Sequence, residues 1–525
     1  MKAKAFVPKR TLNTTRFLYI IKGLLVGLLV GLVVSLFRLA IEHLLLAVKS
    51  FFQLTHSNPW LLLLWLPVAL VICLVNGYLI KTTPHIKGSG IPQVEGQLAG
   101  DLEMLWWPVL WKKWIGGVLG IGSGLFLGRE GPSIQLGAAI GQGVAETMKK
   151  RGSSRRVLIA GGAAAGLSAA FNAPIASSLF IVEEVYHNFS PLVWTTALAA
   201  SVSANYVSMT IFGLKSVLLL DPSSAFPVKD YWQLILLGIV LGLLGLVYQY
   251  LTLNAGKFYR RIPGINMNYV SFIPLLLLIP IAYWYPVTLG GGNALITGLR
   301  DLPASVVFLA GIFVLRLLFS VMSYGTGLPG GIFLPILSLG AVIGACFGQG
   351  MVALGLTSSA LVVDFIIYAM AGYFACIGKA PFTAILLITE MVGSLQHLMP
   401  LAVVSLIAYT VVDLLRGAPI YEAMLKVLLR SDTEYVPGDY QDRLEIPVFA
   451  GSYLQDKQVR DIPWPKNCLL ISIMRGESES LPHGDTVMRC GDTLVVLTKH
   501  HVRAEVKRQI SALAERKEAE PIAGK

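Results

Sequence analysis

Apolar residues run in long blocks through the first 430 positions, separated by short polar or glycine-rich breaks, and this spacing predicts membrane-spanning helices. Phe17 to Val48 predicts one long, tilted helix. It is too long for the core of a cleaved leader, and no small-residue cleavage site ends it. Gly23, Gly27 and Gly31 recur on one face of it, which suits close helix packing and equally suits incidental glycines in a lipid-facing helix. Trp60 to Ile80 predicts a second span. The rhythm changes after Arg430, where short runs such as CLLISIMRG and DTLVVLTKHH predict strands. Gly-Asp turns at Gly484 to Thr486 and Gly491 to Thr493 bound these runs, and a charged helix is predicted over His501 to Lys517. The division that follows is a basic N-terminus over 1–16, a membrane part over 17–430, a small α/β domain over 437–515 and a disordered end over 516–525.

Composition sharpens this picture. The 525 residues are 55% hydrophobic and only 14% charged, where soluble domains carry about a quarter charged residues. The net charge of +12 would suit nucleic acid if it were spread over one surface. Instead the basic residues gather between apolar runs: Lys2, Lys4, Lys9, Arg10 and Arg16, then Lys149 to Arg156, then Lys257 to Arg261. That is the pattern of loops held on the cytoplasmic side of a multi-pass plasma-membrane protein, with both termini cytoplasmic and no nucleic-acid partner. Five scattered cysteines form no CxxC pair, and neither HExxH nor GxxxxGK[ST] occurs, so no metal, cofactor or disulfide framework is predicted. No nucleophile, base and orienting residue recur together, which argues against an enzyme.

The candidate chemistry lies in GREGPSIQLGAAIG, Gly128 to Gly141, where Arg129 and Glu130 stand between apolar runs. An ionisable residue at the centre of a membrane helix costs about 2.5 to 3.5 kcal/mol, so it normally faces a wet pathway or a partner. Gly128 and Gly131 keep side chains off the backbone, and Pro132 suits the first position of a helix. Glu130 therefore reads as the start of a helix, where unpaired N–H groups favour a carboxylate or a small anion, and the two compete. Upstream, KGSGIPQVEG places Ser89 between Gly88 and Gly90 at a loop entering a short helix. Its hydroxyl can cap that helix or donate to an anion. Lys113 stands near the start of WKKWIGGVLGIGSGLFLG. Further on, Asn172-Ala173-Pro174 breaks the backbone, and Glu183 and Glu184 point to different faces of a helix.

The second half echoes the first. GREGPSIQLGAAIG aligns with GIFLPILSLGAVIG at an offset of 203, FNAPIASSLFIVEE with GKAPFTAILLITEM at 207, and GSGIPQVEG more weakly with GGGNALITG at 202. Glu183 falls opposite Glu390, and Glu130 opposite Phe333. The membrane part is a duplicated unit, roughly 17–210 and 230–430. Broken hydrophobic segments at matching places in two halves point to a transporter site at the repeat interface. The Ile332 and Phe333 backbone N–H groups would face an anion there, with side chains nearly irrelevant.

GSGIP, GREGP and GIFLP, in this order and spacing, resemble the three signature motifs of the CLC chloride channels and proton/chloride exchangers. AFNAP, GGGN and a tyrosine after the last span add to the likeness, which covers about residues 15 to 430. The resemblance implies an all-helical, inverted-repeat membrane domain forming a homodimer with one pathway per subunit. It implies that Ser89 and the Tyr421 hydroxyl bind the central chloride and that the amides of Ile332 and Phe333 complete the site. By the same resemblance Glu130 is the gating glutamate, Glu184 the internal proton-transfer glutamate of exchangers, Glu183 its structural neighbour and Lys113 a buried cation favouring anions. Ser89 rather than proline resembles members that prefer chloride to nitrate, and neither GREGP nor GIFLP follows the altered motifs of fluoride exporters. Leu334 and Lys379 depart from the usual pattern.

The segment from Ile462 to Leu497 resembles the C-terminal lobe of potassium-transporter regulatory domains, TrkA-C or RCK-C. That likeness implies either dimerisation with a small ligand such as a cyclic dinucleotide, or a ligand-free assembly domain. Three functional readings follow: a chloride/proton exchanger gated by Glu130, a passive chloride channel of the same architecture, and a chloride-responsive membrane sensor with its output in the tail.

Overall fold

Long apolar blocks become helices where their length allows a crossing, and the breaks between them become the places where helices end inside the protein. The computed structural model describes residues 14–150, 152–187, 189–214, 217–218, 220, 226–263, 266–299, 302, 305–431, 441–449, 451–475, 478–499 and 502–515. The chain divides into two units, Met1–Leu428 and Leu429–Lys525. Of the basic N-terminus expected over 1–16, residues 1–13 lie outside the described residues and 14–16 already belong to the first helix; the disordered end expected over 516–525 also lies outside the described residues.

The first unit is helical throughout. Its first half runs α1 (Thr14–Ser57), α2 (Leu62–Thr82), α3 (Ile91–Ala99), α4 (Trp106–Gly122), α5 (Glu130–Thr147), α6 (Ser153–Phe171), α7 (Pro174–Phe180) and α8 (Pro191–Phe212). The second half repeats the succession as α9 (Tyr231–Arg260), α10 (Phe272–Trp284), α11 (Asn293–Gly298), α12 (Val306–Gly325), α13 (Phe333–Ala353), α14 (Val362–Gly378), α15 (Pro381–Val392) and α16 (Leu398–Leu414), and α17 (Ile420–Ser431) follows. Among the described residues, six helical stretches are long and apolar enough to cross a membrane: Arg16–Ser57, Pro59–Thr82, Val228–Arg260, Val306–Gly325, Phe333–Ala353 and Ser359–Gly378. The first helix is longer than the sequence predicted. A short 3-10 turn, Pro59–Leu61, precedes the second.

Packing in this unit depends on the absence of side chains. α1 buries Val26, Val30, Val34 and Phe37 while Leu25, Leu29, Leu32 and Leu36 stay exposed, a division suited to lipid on one side and protein on the other. Gly27 and Gly31 lie on the buried side, against α8. A Cβ on Gly27 would come 2.1 Å from the Ala200 carbonyl oxygen, so close packing is the correct reading of this glycine row. α5 and α6 approach still more closely, since a Cβ on Gly137 would lie 2.0 Å from the Gly162 carbonyl oxygen.

The halves are related by a local two-fold axis. Gly128 N–H donates to the Gly331 carbonyl at 2.7 Å, and Gly331 N–H returns a bond to the Gly128 carbonyl at 2.6 Å. These are equivalent residues of the repeat, joined as an isolated antiparallel bridge. The same reciprocity recurs one loop away, where Gly88 N–H bonds the Gly327 carbonyl at 3.1 Å and its counterpart Gly290 N–H bonds the Gly124 carbonyl at 2.9 Å. The breaks at Asn172 and Lys379 also correspond. Both residues are left-handed, with φ of 54° and 56°, each ending a helix two residues before a proline starts the next.

The second unit is an antiparallel sheet of order β1-β4-β2-β3, from β1 (Gln441–Pro447), β2 (Cys468–Arg475), β3 (Ser478–Ser480) and β4 (Asp492–Lys499), with α18 (Arg503–Glu515). Leu444, Ile446, Ile473, Leu494, Val496, Val506 and Ile510 form a core of its own. A two-pronged ion pair fixes one end of β4: Arg475 Nε and Nη2 each donate to an Asp492 carboxylate oxygen at 2.7 Å, and Arg489 N–H donates to the same carboxylate at 2.8 Å. Burial pushes the Asp492 carboxyl up, but the Arg475 guanidinium and the Arg489 N–H outweigh it and hold the group below its ordinary value.

Candidate functional site

α5 begins at Glu130, with Arg129 as its cap. Pro132 is therefore the third helical position, not the first as its sequence context suggested. The correction has a simple cause: no N–H of the first helical turn has an intrahelical acceptor, so a proline costs nothing at any place in that turn. Glu130 is fully buried, and both its carboxylate oxygens lack a hydrogen-bond partner among the described residues. The N–H groups of Arg129, Glu130 itself and Leu334 turn toward this carboxylate without reaching hydrogen-bond geometry. One carboxylate oxygen lies so close over Gly128 that a Cβ there would stand 2.4 Å from it.

Two neutral hydroxyls share this condition. Ser89 Oγ and the Tyr421 hydroxyl are buried with no hydrogen-bond partner among the described residues. Ser89 does not cap α3, whose N-cap is Gly90 in a left-handed turn with φ of 93°. Its Oγ rests against Gly131, where a Cβ would lie 2.2 Å away. Leaving a buried polar atom unbonded costs about 1–3 kcal/mol, and such groups are rare in folded proteins. Ser89, in the loop just before α3, touches the first turn of α5 where Glu130 stands, and Tyr421 lies in the first turn of α17.

Phe333 opens α13, with Ile332 as its cap. Its ring is locked among Phe171, Phe180 and Phe374 at centroid distances of 5.2, 5.8 and 4.3 Å, and Phe180 in turn meets the Tyr421 ring at 6.2 Å. The Phe333 side chain is committed to this cluster. Its N–H remains one of the first-turn donors of α13 that no intrahelical carbonyl can take.

Lys113 sits in the middle of α4, fully buried. Its Nζ donates to the carbonyls of Ile86 at 2.9 Å and Gly88 at 2.7 Å, which hold the loop carrying Ser89. The repeat places Arg316 at the equivalent point of α12. Arg316 is also fully buried; it donates to the Thr288 carbonyl at 2.7 Å, the Gly290 carbonyl at 2.9 Å, the Gly291 carbonyl, and Ser338 Oγ at 2.9 Å. Thr288 and Gly290 are the repeat counterparts of Ile86 and Gly88. No carboxylate pairs with either cation among the described residues, so both charges raise the potential of the interior. Sequence reasoning missed Arg316, although the offset of 203 applied to Lys113 leads straight to it.

The adjacent acids separate cleanly. Glu183 accepts from Thr383 N–H at 2.9 Å, Thr383 Oγ1 at 2.7 Å and Phe382 N–H at 3.4 Å, at the start of α15. Its repeat mate Glu390 accepts from Ala176 N–H at 2.8 Å and Ile175 N–H at 3.1 Å, at the start of α7. Each half thus caps a helix of the other. Glu184 follows in a π-helical turn, Ile181–Val185, and is buried near two further carboxylates, Glu95 of α3 and Glu422 of α17. Glu95 also escaped sequence reasoning, because alone it reads as one polar residue of a short helix.

The sequence profile of the voltage gated chloride channel family matches residues 68–413. The chain belongs to this family, the CLC proteins. A TrkA-C domain profile matches residues 443–511. The H(+)/Cl(-) exchange transporter ClcA of Vibrio campbellii is 34% identical over 387 residues, 70% of this chain and 81% of that protein. Its namesake in Vibrio parahaemolyticus is 33% identical over 449 residues, 82% and 95% of the two chains. Among solved structures, a slow cyanobacterial Cl-/H+ antiporter superposes with a TM-score of 0.74 at 29% identity, over 79% of this chain and 99% of the other. A eukaryotic CLC transporter at 18% identity, TM-score 0.67, shares the fold over 97% of this chain and 91% of its own. The CLC profile leaves out α1 and α17, so the Tyr421 hydroxyl lies beyond it, as does the Glu42 carboxylate on α1 that accepts from Arg129 Nη1 at 2.6 Å.

Proposed function

We propose that this multi-pass CLC protein is a secondary active chloride/proton antiporter of the plasma membrane, with Glu130 as its gate. One observation carries the reading: a buried carboxylate at the start of α5 has both oxygens unbonded, with the unbonded Ser89 hydroxyl against Gly131 of the same turn and the unbonded Tyr421 hydroxyl at the start of α17. The relatives' names, H(+)/Cl(-) exchange transporters, support it. An ionised Glu130 and a chloride compete for helix-start N–H groups, with the Arg129, Glu130 and Leu334 amides turned toward the carboxylate and those of Ile332 and Phe333 offered to the anion. Protonation removes the charge, releases the carboxylate and admits the anion. One proton is thereby exchanged against chloride occupancy at one place. Glu184, buried beside Glu95 and Glu422, is the group that passes the proton onward, and Glu183 serves as a helix cap. The Ser89 and Tyr421 hydroxyls donate to the anion without adding charge of their own.

The passive channel is the rival reading, and Glu184 argues against it. The test is purified protein in liposomes under a chloride gradient. The antiporter drives protons uphill, Glu130→Ala keeps anion flux and loses proton movement, and Glu184→Ala loses proton movement with chloride binding intact. Uncoupled chloride flux in the unaltered protein would favour the channel. We assign the functional unit as a homodimer with both termini cytoplasmic, and the TrkA-C domain as its regulator through a small ligand such as a cyclic dinucleotide. Equilibrium dialysis of the intact protein with cyclic dinucleotides, compared with protein truncated after residue 436, tests that assignment.

A further inference from the structure

Arg129 is the nearest cation in sequence to the gate, yet no ion pair joins it to Glu130 among the described residues. Its Nη1 donates instead to Glu42 Oε1 at 2.6 Å. The same oxygen accepts from Arg38 Nε at 2.9 Å, one helical turn back on α1. Arg38 is held in turn by stacking over the Phe212 ring at 3.8 Å. The two arginine side chains are only 13% and 11% exposed, whereas Glu42 is 38% exposed. Arg38 Nη1 and Arg129 Nε are buried without a hydrogen-bond partner among the described residues. Two guanidinium groups therefore share one carboxylate beside the first turn of α5, leaving a surplus positive charge there.

We propose that Glu42 is a positioning residue for the gate: by holding Arg129 it withholds that guanidinium from Glu130 and sets the pH at which the gate responds. The inference rests on the gating role proposed for Glu130. A free guanidinium one residue away would stabilise the ionised carboxylate and keep it seated against the helix starts. Other ionisable groups are accounted for. The elements around the gate carry Lys22, Arg38, Glu42, His43, Lys49 and His56 on α1, Lys112 and Lys113 on α4, Glu95 on α3, Arg316 and Tyr324 on α12, and Tyr421, Glu422 and Lys426 on α17. His43 bonds the Leu39 carbonyl, Lys112 the Thr82 and Thr83 hydroxyls, Tyr324 the Met424 sulfur, and Lys426 pairs with Glu422. Lys113 and Arg316 are committed to loop carbonyls. Glu95 lies near Glu184. α6 carries Arg155 and Arg156 at its start, where Arg155 pairs with Glu146 at the far end of α5, and α13 carries only Cys346, well along its length. Glu42 is the acid that counters Arg129.

The experiment is chloride flux from proteoliposomes as a function of pH. Glu42→Gln preserves shape and removes the charge; the midpoint of its pH profile moves to lower pH by about one unit, the scale on which a nearby opposite charge acts. Glu42→Asp restores most of the wild-type profile. Arg38→Gln, which leaves Glu42 to Arg129 alone, moves the midpoint to higher pH and provides a second reading if Glu42→Gln folds poorly. In a Glu130→Ala background neither substitution shifts the profile. An unshifted profile for Glu42→Gln and Arg38→Gln, with pH dependence still lost in Glu130→Ala, overturns the role of Glu42 and leaves the gate intact. A shift that persists without Glu130 also overturns it, and a wild-type profile in Glu130→Ala itself overturns the gate reading.

Discussion

Replacing Gly131 by alanine tests the anion site without removing a single polar atom. The added methyl would stand 2.2 Å from Ser89 Oγ and 2.7 Å from the Ser89 carbonyl oxygen, far inside contact distance, so Ser89 has to move. A hydrogen bond to a charged group contributes about 1.5–3 kcal/mol, and losing the Ser89 hydroxyl from the anion weakens chloride binding about 10- to 150-fold. Overpacking adds about 1–3 kcal/mol of destabilisation. Isothermal titration calorimetry of chloride on solubilised protein reads the first quantity and thermal melting the second. Ser89→Ala alone shows the affinity loss with little destabilisation. Because both changes act on one hydroxyl, the double variant binds chloride about as weakly as either single one, well short of the sum. Gly161→Ala is the control, since its methyl meets nothing closer than Thr196 Cγ2 at 3.5 Å, and it leaves affinity unchanged. Wild-type affinity in Gly131→Ala, or losses that simply add in the double variant, would refute the placement of Ser89.

Other outcomes follow from the same geometry. Lys113→Met and Arg316→Met each strip a buried cation from two or more carbonyls, and each weakens chloride binding at least about tenfold, a cost of about 1.4 kcal/mol or more, measurable by the same titration. Glu183→Ala and Glu390→Ala each leave two backbone donors of a helix start without their carboxylate and lower stability by comparable amounts, about 1–3 kcal/mol, in melting of the solubilised protein. The depressed Asp492 carboxyl stabilises the second unit fully above about pH 4, the unfolded value, and that contribution is lost as pH falls through the lower folded value. Hydrogen exchange across β2 and β4 in the intact protein therefore accelerates in acid, and Asp492→Asn removes much of that acid dependence while speeding exchange at pH 7.

Much of this was legible because membrane helices write their length and breaks into the sequence. The repeat offsets near 203 and 207 matched Gly128 with Gly331 and Glu183 with Glu390, and the structure joins the first pair as a bridge and gives the second pair equivalent capping roles in opposite halves. What the pattern could not carry was pairing through space. Glu42 lies 87 positions from Arg129, and nothing in a run of leucines announces that one acid will face it. Arg316 is hidden because it stands alone in an apolar span, VVFLAGIFVLRLLFSVMSYG, outside every signature motif. β1 went unseen for a different reason: QDRLEIP has few apolar positions, and it becomes a strand by pairing with β4 from Gln441↔Lys499 to Pro447↔Thr493.

The exchanged caps at α7 and α15 carry a consequence for biosynthesis. Residues up to about 210 leave the ribosome with the α7 amide donors still waiting for an acid that will not be made until residue 390. The early-inserted portion is thus a receptacle awaiting its twin, and severing the chain between the two would yield partners obliged to find each other in the bilayer before either becomes sound.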